Sequence, residues 1–192
     1  MKKVGILALQ GDFEAHFNSL ERAGAEPVLV RTADQLGQVD GLIIPGGEST
    51  TMLKLLDFMD LKQPLRDFAG RKPVFGTCAG AILLAKEVQN PIQESLALLD
   101  LTVERNAYGR QIDSRVASLH PNADFERRAG PGDVEAVFIR APIIRRAGPD
   151  VRVLAQYEGD PVLVEQGKHM VATFHPELTQ DSRVHKLFLS KL

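Results

Sequence analysis

The sequence predicts an α/β fold: a mostly parallel sheet covered by helices on both faces, extended in its second half by antiparallel or mixed strands. Three observations predict it. Strand-length apolar runs alternate with helical periodicity through the first half of the chain. Those runs are continuously apolar, the pattern of strands buried on both faces. After Leu98 the strand signals follow one another with little helix between them.

Val4–Leu9 reads as the first strand and Asp12–Ala23 as a helix, with Phe13, Phe17 and Leu20 at helical spacing. Asp12 is placed to cap that helix and Gly24 to stop it. Pro27–Arg31 and Val39–Pro45 are the next two strands, the latter ending at Gly46-Gly47. Ser49 or Thr50 then caps a helix carrying Met52, Leu53, Leu55, Leu56 and Met59. Helical residues near Lys62–Ala69 lead to the strand Pro73–Phe75, and Ala81–Lys86 starts another helix. Strand signals follow at Leu99–Glu104, Ser114–Leu119, Val134–Arg140, Val151–Gln156, Pro161–Glu165 and His169–Phe174. Gln180–Leu192 closes the chain as an amphipathic helix. No Gly-, Ser- or Pro-rich linker divides residues 1–192, which read as one domain. Arg-Arg-Ala-Gly-Pro occurs at Arg127–Pro131 and again at Arg145–Pro149, both read as turns with solvated arginines.

Composition narrows the function classes. With 44% hydrophobic and 25% charged residues, the 192-residue chain has an ordinary globular composition and is long enough to bury a core. A net charge of −2 favours neither nucleic acid nor an anionic membrane as a partner. No apolar run is long enough to span a bilayer, and the N-terminal segment lacks a signal-peptide cleavage site. The single cysteine excludes an internal disulfide and fits a reducing compartment, so the cytoplasm is the expected location.

That cysteine carries the chemistry. Cys78 stands in Gly76-Thr77-Cys78-Ala79-Gly80, between a strand and a helix signal. A thiol at this turn meets a helix N-terminus, which favours the thiolate, and the pattern is the cysteine counterpart of the G-x-S-x-G nucleophile elbow. The competing reading is an inert buried thiol. A cysteine nucleophile needs a base and the base an orienting group. Of the five histidines, only His175 has a carboxylate at an informative spacing, in His175-Pro176-Glu177. Pro176 disfavours helix there, and in extended chain His175 and Glu177 project to one side. Taken alone, the segment reads rather as a loop at a strand end with two solvated polar groups. Gly46-Gly47-Glu48-Ser49 follows a buried strand and opens a helix, where backbone N–H groups turn toward an anion. The N–H of Ala79 supplies a second oxyanion donor. No Walker A or G-x-G-x-x-G motif is present, and scattered histidines with one cysteine give no metal-ligand spacing.

Gly76–Gly80 together with His175-x-Glu177 resembles the triad-type glutamine amidotransferases. Leu9-Gln10-Gly11, Pro45–Thr51, Val103–Asn106, Gly109-Arg110-Gln111, Phe138–Pro142 and Phe174–Leu178 narrow the match. In this order they resemble the glutaminase subunits of the pyridoxal 5′-phosphate synthases that use ribose 5-phosphate. The resemblance spans essentially the whole chain. It implies a three-layer αβα, flavodoxin-like fold and hydrolysis of L-glutamine to glutamate and ammonia. Cys78 would be the nucleophile, His175 the proton shuttle and Glu177 its orienter. Gly47 and Ala79 would form the oxyanion hole. Gly47, Glu48, Ser49, Arg105, Ile139 and Arg140 would bind glutamine, and Gln10 would couple the site to a partner. That partner is a larger, ring-building synthase subunit that receives the ammonia, and neither cofactor nor metal is expected. Residues 88–98 and 118–133 depart most from the family pattern. Two further readings remain at this level: an amidotransferase of another pathway, and a flavodoxin-like module whose Cys78 senses oxidants.

Overall fold

The computed structural model describes residues 1–106 and 114–192, so Gly109-Arg110-Gln111 lies outside the described residues. The first half follows β1 (Lys3–Leu7), α1 (Phe13–Ala23), β2 (Glu26–Val30), α2 (Ala33–Gly37), β3 (Gly41–Ile44), α3 (Ser49–Phe58), α4 (Lys62–Arg71), β4 (Val74–Thr77) and α5 (Ala79–Leu84). The second half runs β5 (Ala85–Gln89), β6 (Leu99–Glu104), β7 (Ser114–Leu119), α6 (Ala123–Ala129), β8 (Val134–Ile139), β9 (Ile143–Ala147), β10 (Arg152–Tyr157), β11 (Asp160–Gln166), β12 (His169–Ala172), a 3-10 turn (Pro176–Leu178) and α7 (Arg183–Leu189).

Seven strands form the main sheet in the order β10-β11-β12-β4-β3-β1-β2. The five from β12 to β2 are parallel, and β11 and β10 add antiparallel strands at one edge. Alternation along each strand sends side chains to two cores. Ile6, Ile43, Phe75 and Met170 stand in register across four strands, all fully buried, on the face covered by α1 and α7. Leu42, Ile44, Val74 and Val171 point to the opposite face, covered by α3, α4 and α5. The sheet is therefore the middle of three layers, as predicted. Strand order reverses between β1 and β3, and the crevice beyond the carboxyl ends of such strands is where α/β sheets bind ligands.

Several local expectations differ. The helix after Cys78 has only six residues, and its expected continuation from Ala85 becomes a strand, pairing in parallel with β6. Leu96 and Leu98 N–H groups take up the Leu83 and Leu84 carbonyls, which end the helix. The later strands do not all extend the main sheet: β5-β6-β9 and β7-β8 form two small separate sheets. The second half also contains α6, capped by the Asn122 side chain accepting from Phe125 N–H at 2.9 Å. Neither Arg-Arg-Ala-Gly-Pro copy is a simple turn. In the first, Arg128 lies in the last turn of α6 and binds the buried carboxylate of Glu165, and in the second Arg145 and Arg146 lie on β9 against Glu104 and Asp100. Helix α3 is capped by Glu48, not by Ser49 or Thr50: its carboxylate accepts from the N–H groups of Thr50 and Thr51. A carboxylate at that end satisfies two orphan donors and complements the helix dipole.

Candidate active site

Four strand ends deliver the candidate residues. Gln10 follows β1, Gly46-Gly47 follows β3, Cys78 follows β4 and His175 follows β12. Cys78 occupies the strand-to-helix turn with φ 49°, a left-handed conformation that non-glycine residues rarely hold and that collects at functional sites. The flanking glycines are required by contact. A Cβ on Gly80 would stand 2.1 Å from the Ile44 carbonyl oxygen, and one on Gly76 would stand 2.5 Å from the Gly80 carbonyl oxygen. The Cys78 amide donates to the Ala172 carbonyl at 2.9 Å, which fastens this residue to the end of β12. As the first residue of α5, Ala79 keeps its N–H outside the helical ladder.

His175 reaches the same point from the other side. Its amide donates to the Val137 carbonyl at 2.8 Å, and its Nδ1 lies 2.6 Å from Glu177 Oε1. Gly46 packs against both partners, since a Cβ there would be 2.7 Å from His175 Cε1 and 3.2 Å from Cys78 Cβ. The expected extended geometry is replaced by a 3-10 turn with Pro176 at its first position. The fixed φ of proline suits that position, and the tight turn brings the carboxylate back to the ring. Burial pushes the His175 pKa down, but Cys78 and Glu177 outweigh it and raise the imidazole to about 10. Burial pushes Glu177 up, and His16 and His175 more than offset it, so the carboxyl is held below its usual range. The arrangement is a thiol, an imidazole and a buried carboxylate in sequence, suited to nucleophilic acyl transfer.

Cys78, Ala79, Gly47, Glu48, Ser49, Arg105, Ile139 and Arg140 all border one cavity of about 160 Å³. An adjoining cavity of about 360 Å³ also touches Gly47, Glu48, Cys78, Ile139 and Arg140, and adds Gln10 and His175. Every candidate residue except the buried Glu177 thus lines one of two hollows that share five wall residues. Gln10 Oε1 accepts from the Glu48 N–H at 2.8 Å, and a Cβ on Gly47 would strike that oxygen at 2.4 Å. Arg105 extends Nη2 to Thr50 Oγ1 at 3.3 Å and Glu48 Oε1 at 3.5 Å. Thr51 and Thr50 bonds outweigh burial and lower the Glu48 pKa to about 2. Ser49 Oγ donates to Gln93 Oε1 at 3.1 Å. Among the described residues, no group of three or more His, Cys, Asp or Glu side chains could hold a metal ion. No described helix is long and apolar enough to cross a membrane.

A family model described as the SNO glutamine amidotransferase family matches residues 6–192. The chain belongs to that family. Its relatives in the SNO glutamine amidotransferase family include pyridoxal 5′-phosphate synthase subunit PdxT of Solibacter usitatus, 68% identical over 192 residues and covering 100% of both chains. The subunit of the same name from Koribacter versatilis is 56% identical over 187 residues, 97% of this chain and 94% of that one. A crystal structure of a glutamine amidotransferase superposes with a TM-score of 0.88 at 46% identity, covering 98% of this chain and 97% of the other.

Three residues behind the site escape a reading by motif. His16, Thr77 and His185 are fully buried and touch one another or Glu177. The available signal was a histidine on the apolar face of α1, between Phe13 and Leu20, where an uncharged side chain was expected.

Proposed function

We propose that this chain is a glutaminase that hydrolyses L-glutamine to glutamate and ammonia and delivers the ammonia to a larger, ring-building subunit of a pyridoxal 5′-phosphate synthase. The observation that carries the reading is Cys78, His175 and Glu177 converging beside a polar cavity in a chain of this family. Two relatives named as synthase subunits at 56% and 68% identity support the choice of pathway.

Cys78 attacks the side-chain amide carbon after its proton passes to His175. The oxyanion forms against the N–H groups of Gly47 and Ala79, and collapse of the intermediate breaks the C–N bond. His175 gives its proton to the departing nitrogen, so that ammonia leaves and a γ-glutamyl thioester remains. Water, deprotonated by His175, then attacks the thioester, and the thiol and glutamate are released. Glu177 holds the ring with Nδ1 toward itself and Nε2 toward the reaction, and stabilises the imidazolium. Arg105 grips the α-carboxylate of glutamine bidentately, while Glu48, Ser49, Ile139 and Arg140 close around its amino-acid end. Gln10, through the Glu48 N–H, ties this loop to the side from which the partner acts.

Residues 1–192 work as one glutaminase domain, a reading supported by a family match from residue 6 to residue 192. A free thiol used as nucleophile suits the reducing cytoplasm. The deciding experiment measures glutamate release from L-glutamine with and without the synthase subunit, for the wild type and Cys78→Ala. Release that rises with the partner and vanishes in the variant is expected. Release that needs Cys78 and ignores the partner would assign the chain to another pathway. No cysteine-dependent release would overturn the glutaminase reading.

A further inference from the structure

A polar chain inside the apolar layer between α1 and the sheet continues the triad inward. His16 Nε2 lies 3.1 Å from Thr77 Oγ1 and 3.4 Å from Glu177 Oε2, and that carboxylate oxygen is buried with no hydrogen bond among the described residues. On its other side, His16 Nδ1 lies 3.1 Å from His185 Nε2. His185 ends this polar chain: its Nδ1 is buried and has no hydrogen-bond partner among the described residues. His16, Ser19 and Arg22, three residues apart on one face of α1, all address the turn that carries Glu177. Ser19 Oγ donates to the Glu177 carbonyl at 3.4 Å, and Arg22 donates to the Thr179 carbonyl at 3.1 Å.

Which way the protons point follows from the empty end. Each neutral imidazole has one N–H and one lone pair. If His16 carried its proton on Nδ1 and gave it to His185 Nε2, His185 would hold its own proton on Nδ1. That would bury an N–H with no acceptor, which native structures avoid. It would also turn the bare His16 Nε2 lone pair toward a carboxylate oxygen 3.4 Å away. The opposite arrangement removes both conflicts. His185 leaves Nδ1 bare and donates Nε2–H to His16 Nδ1, and His16 Nε2–H faces Glu177 Oε2 and Thr77 Oγ1. The charged groups acting on the pair are Glu177, His175, Asp12 and Arg22, and complete burial keeps both rings neutral, His185 falling to about 3.

We propose that His16 is a positioning residue for Glu177, with its Nε2–H held on the side shared by Thr77 and the carboxylate by the tautomer of His185. The chain of contacts becomes Cys78, His175, Glu177, His16, His185, and it links the packing of α1 and α7 to the orientation of the reactive imidazole. The proposal rests on the glutaminase reading for its effect on turnover, while the tautomers themselves are independent of it.

Two measurements on the full chain test it. In imidazole nitrogen–proton correlation spectra from pH 6 to 8, His16 and His185 are expected as neutral Nε2–H tautomers that do not titrate. A proton on Nδ1 of either ring, or a charged His16, would overturn the proposal. In glutaminase assays with the synthase subunit, His16→Leu is expected to lower kcat about 10- to 100-fold, the scale of removing the nearest polar group from a buried charge, with KM nearly unchanged. His16→Gln, which keeps an N–H donor, is expected to recover most of that loss. Equal impairment in both variants, or none in either, would overturn the positioning role. Should His16→Leu fail to fold, the wild-type spectra still decide. Absence of glutamate release by the wild type would fail the glutaminase reading and leave the tautomer result standing.

Discussion

His175 and Glu177 are joined by a 2.6 Å contact across a single proline, inside a turn too tight for the side chains of a strand. The carboxylate meets Nδ1, so Nε2 is left for Cys78 and for the departing nitrogen. Removing the charge should therefore act on both rate and pH dependence. Glu177→Gln is expected to lower kcat about 10²- to 10⁴-fold, the range set by loss of the orienting carboxylate in a triad. Glu177 is one of the groups that raise the His175 pKa to about 10, so its neutralisation lowers that pKa. The alkaline limb of kcat/KM should shift to lower pH in the variant, and an unshifted limb would remove Glu177 from this role.

Gly46 packs against both Cys78 and His175, with room at its Cα for no more than a hydrogen atom. Gly46→Ala would push a methyl to 2.7 Å from His175 Cε1, so the ring must move. Activity should fall at least about 100-fold, since small misplacements of reacting groups carry that cost. The thermal midpoint should change far less than in Gly80→Ala. There the new methyl meets backbone of β3 at 2.1 Å, and a loss of about 2–3 kcal/mol is expected from urea denaturation.

Arg105 stands at the cavity wall with its guanidinium on Glu48 and Thr50. Arg105→Gln is expected to raise KM for L-glutamine about 10-fold or more with a smaller effect on kcat, as for a group that binds ground and transition states alike. Steady-state kinetics at saturating partner subunit would reveal it. An unchanged KM would assign the carboxylate site to another residue.

Glu165 gathers the ends of three elements. Its buried carboxylate accepts from Arg128 of α6 at 2.6 Å, Lys191 beyond α7 at 2.6 Å and Arg152 of β10 at 3.3 Å. Burial pushes its pKa up, but the Arg128 and Lys191 bonds prevail and hold it below the usual value. A folded-state pKa below the unfolded one adds stability above the unfolded pKa, and that stability is lost as pH falls through the folded value. Glu165→Gln should therefore cost about 2 kcal/mol near pH 7 and progressively less in acid. Thermal unfolding at pH 7 and pH 4 would test this, and an equal deficit at both would exclude the charge as its cause.

Much of the molecule was legible in its residues. Apolar runs within Val39–Pro45 and Pro73–Phe75 required strands buried on both faces, because only neighbouring helices could cover them. Gly76-x-Cys78-x-Gly80 required a tight strand-to-helix turn, and the spacing His175-x-Glu177 brought an orienting carboxylate within reach. The failures differ in cause. Ala85–Gln89 carries no pattern that stops a helix, and it is a strand because β6 offers it hydrogen bonds. Glu48 displaced Ser49 and Thr50 as the cap because its longer side chain reaches two backbone donors.

By itself the sequence determined the layer order of the first half, and it singled out Cys78, His175 and Glu177 as the candidate thiol, imidazole and carboxylate, with the glycines that let them meet. Only the tertiary structure decided how the second half divides into three sheets, that a 3-10 turn carries Glu177, and that His16 and His185 stand behind it. The physical reason is range. Periodicity, turn chemistry and motif spacing act between residues close along the chain. The His16–His185 contact joins positions 169 residues apart, and its geometry exists only once α1 and α7 pack on one face of the sheet.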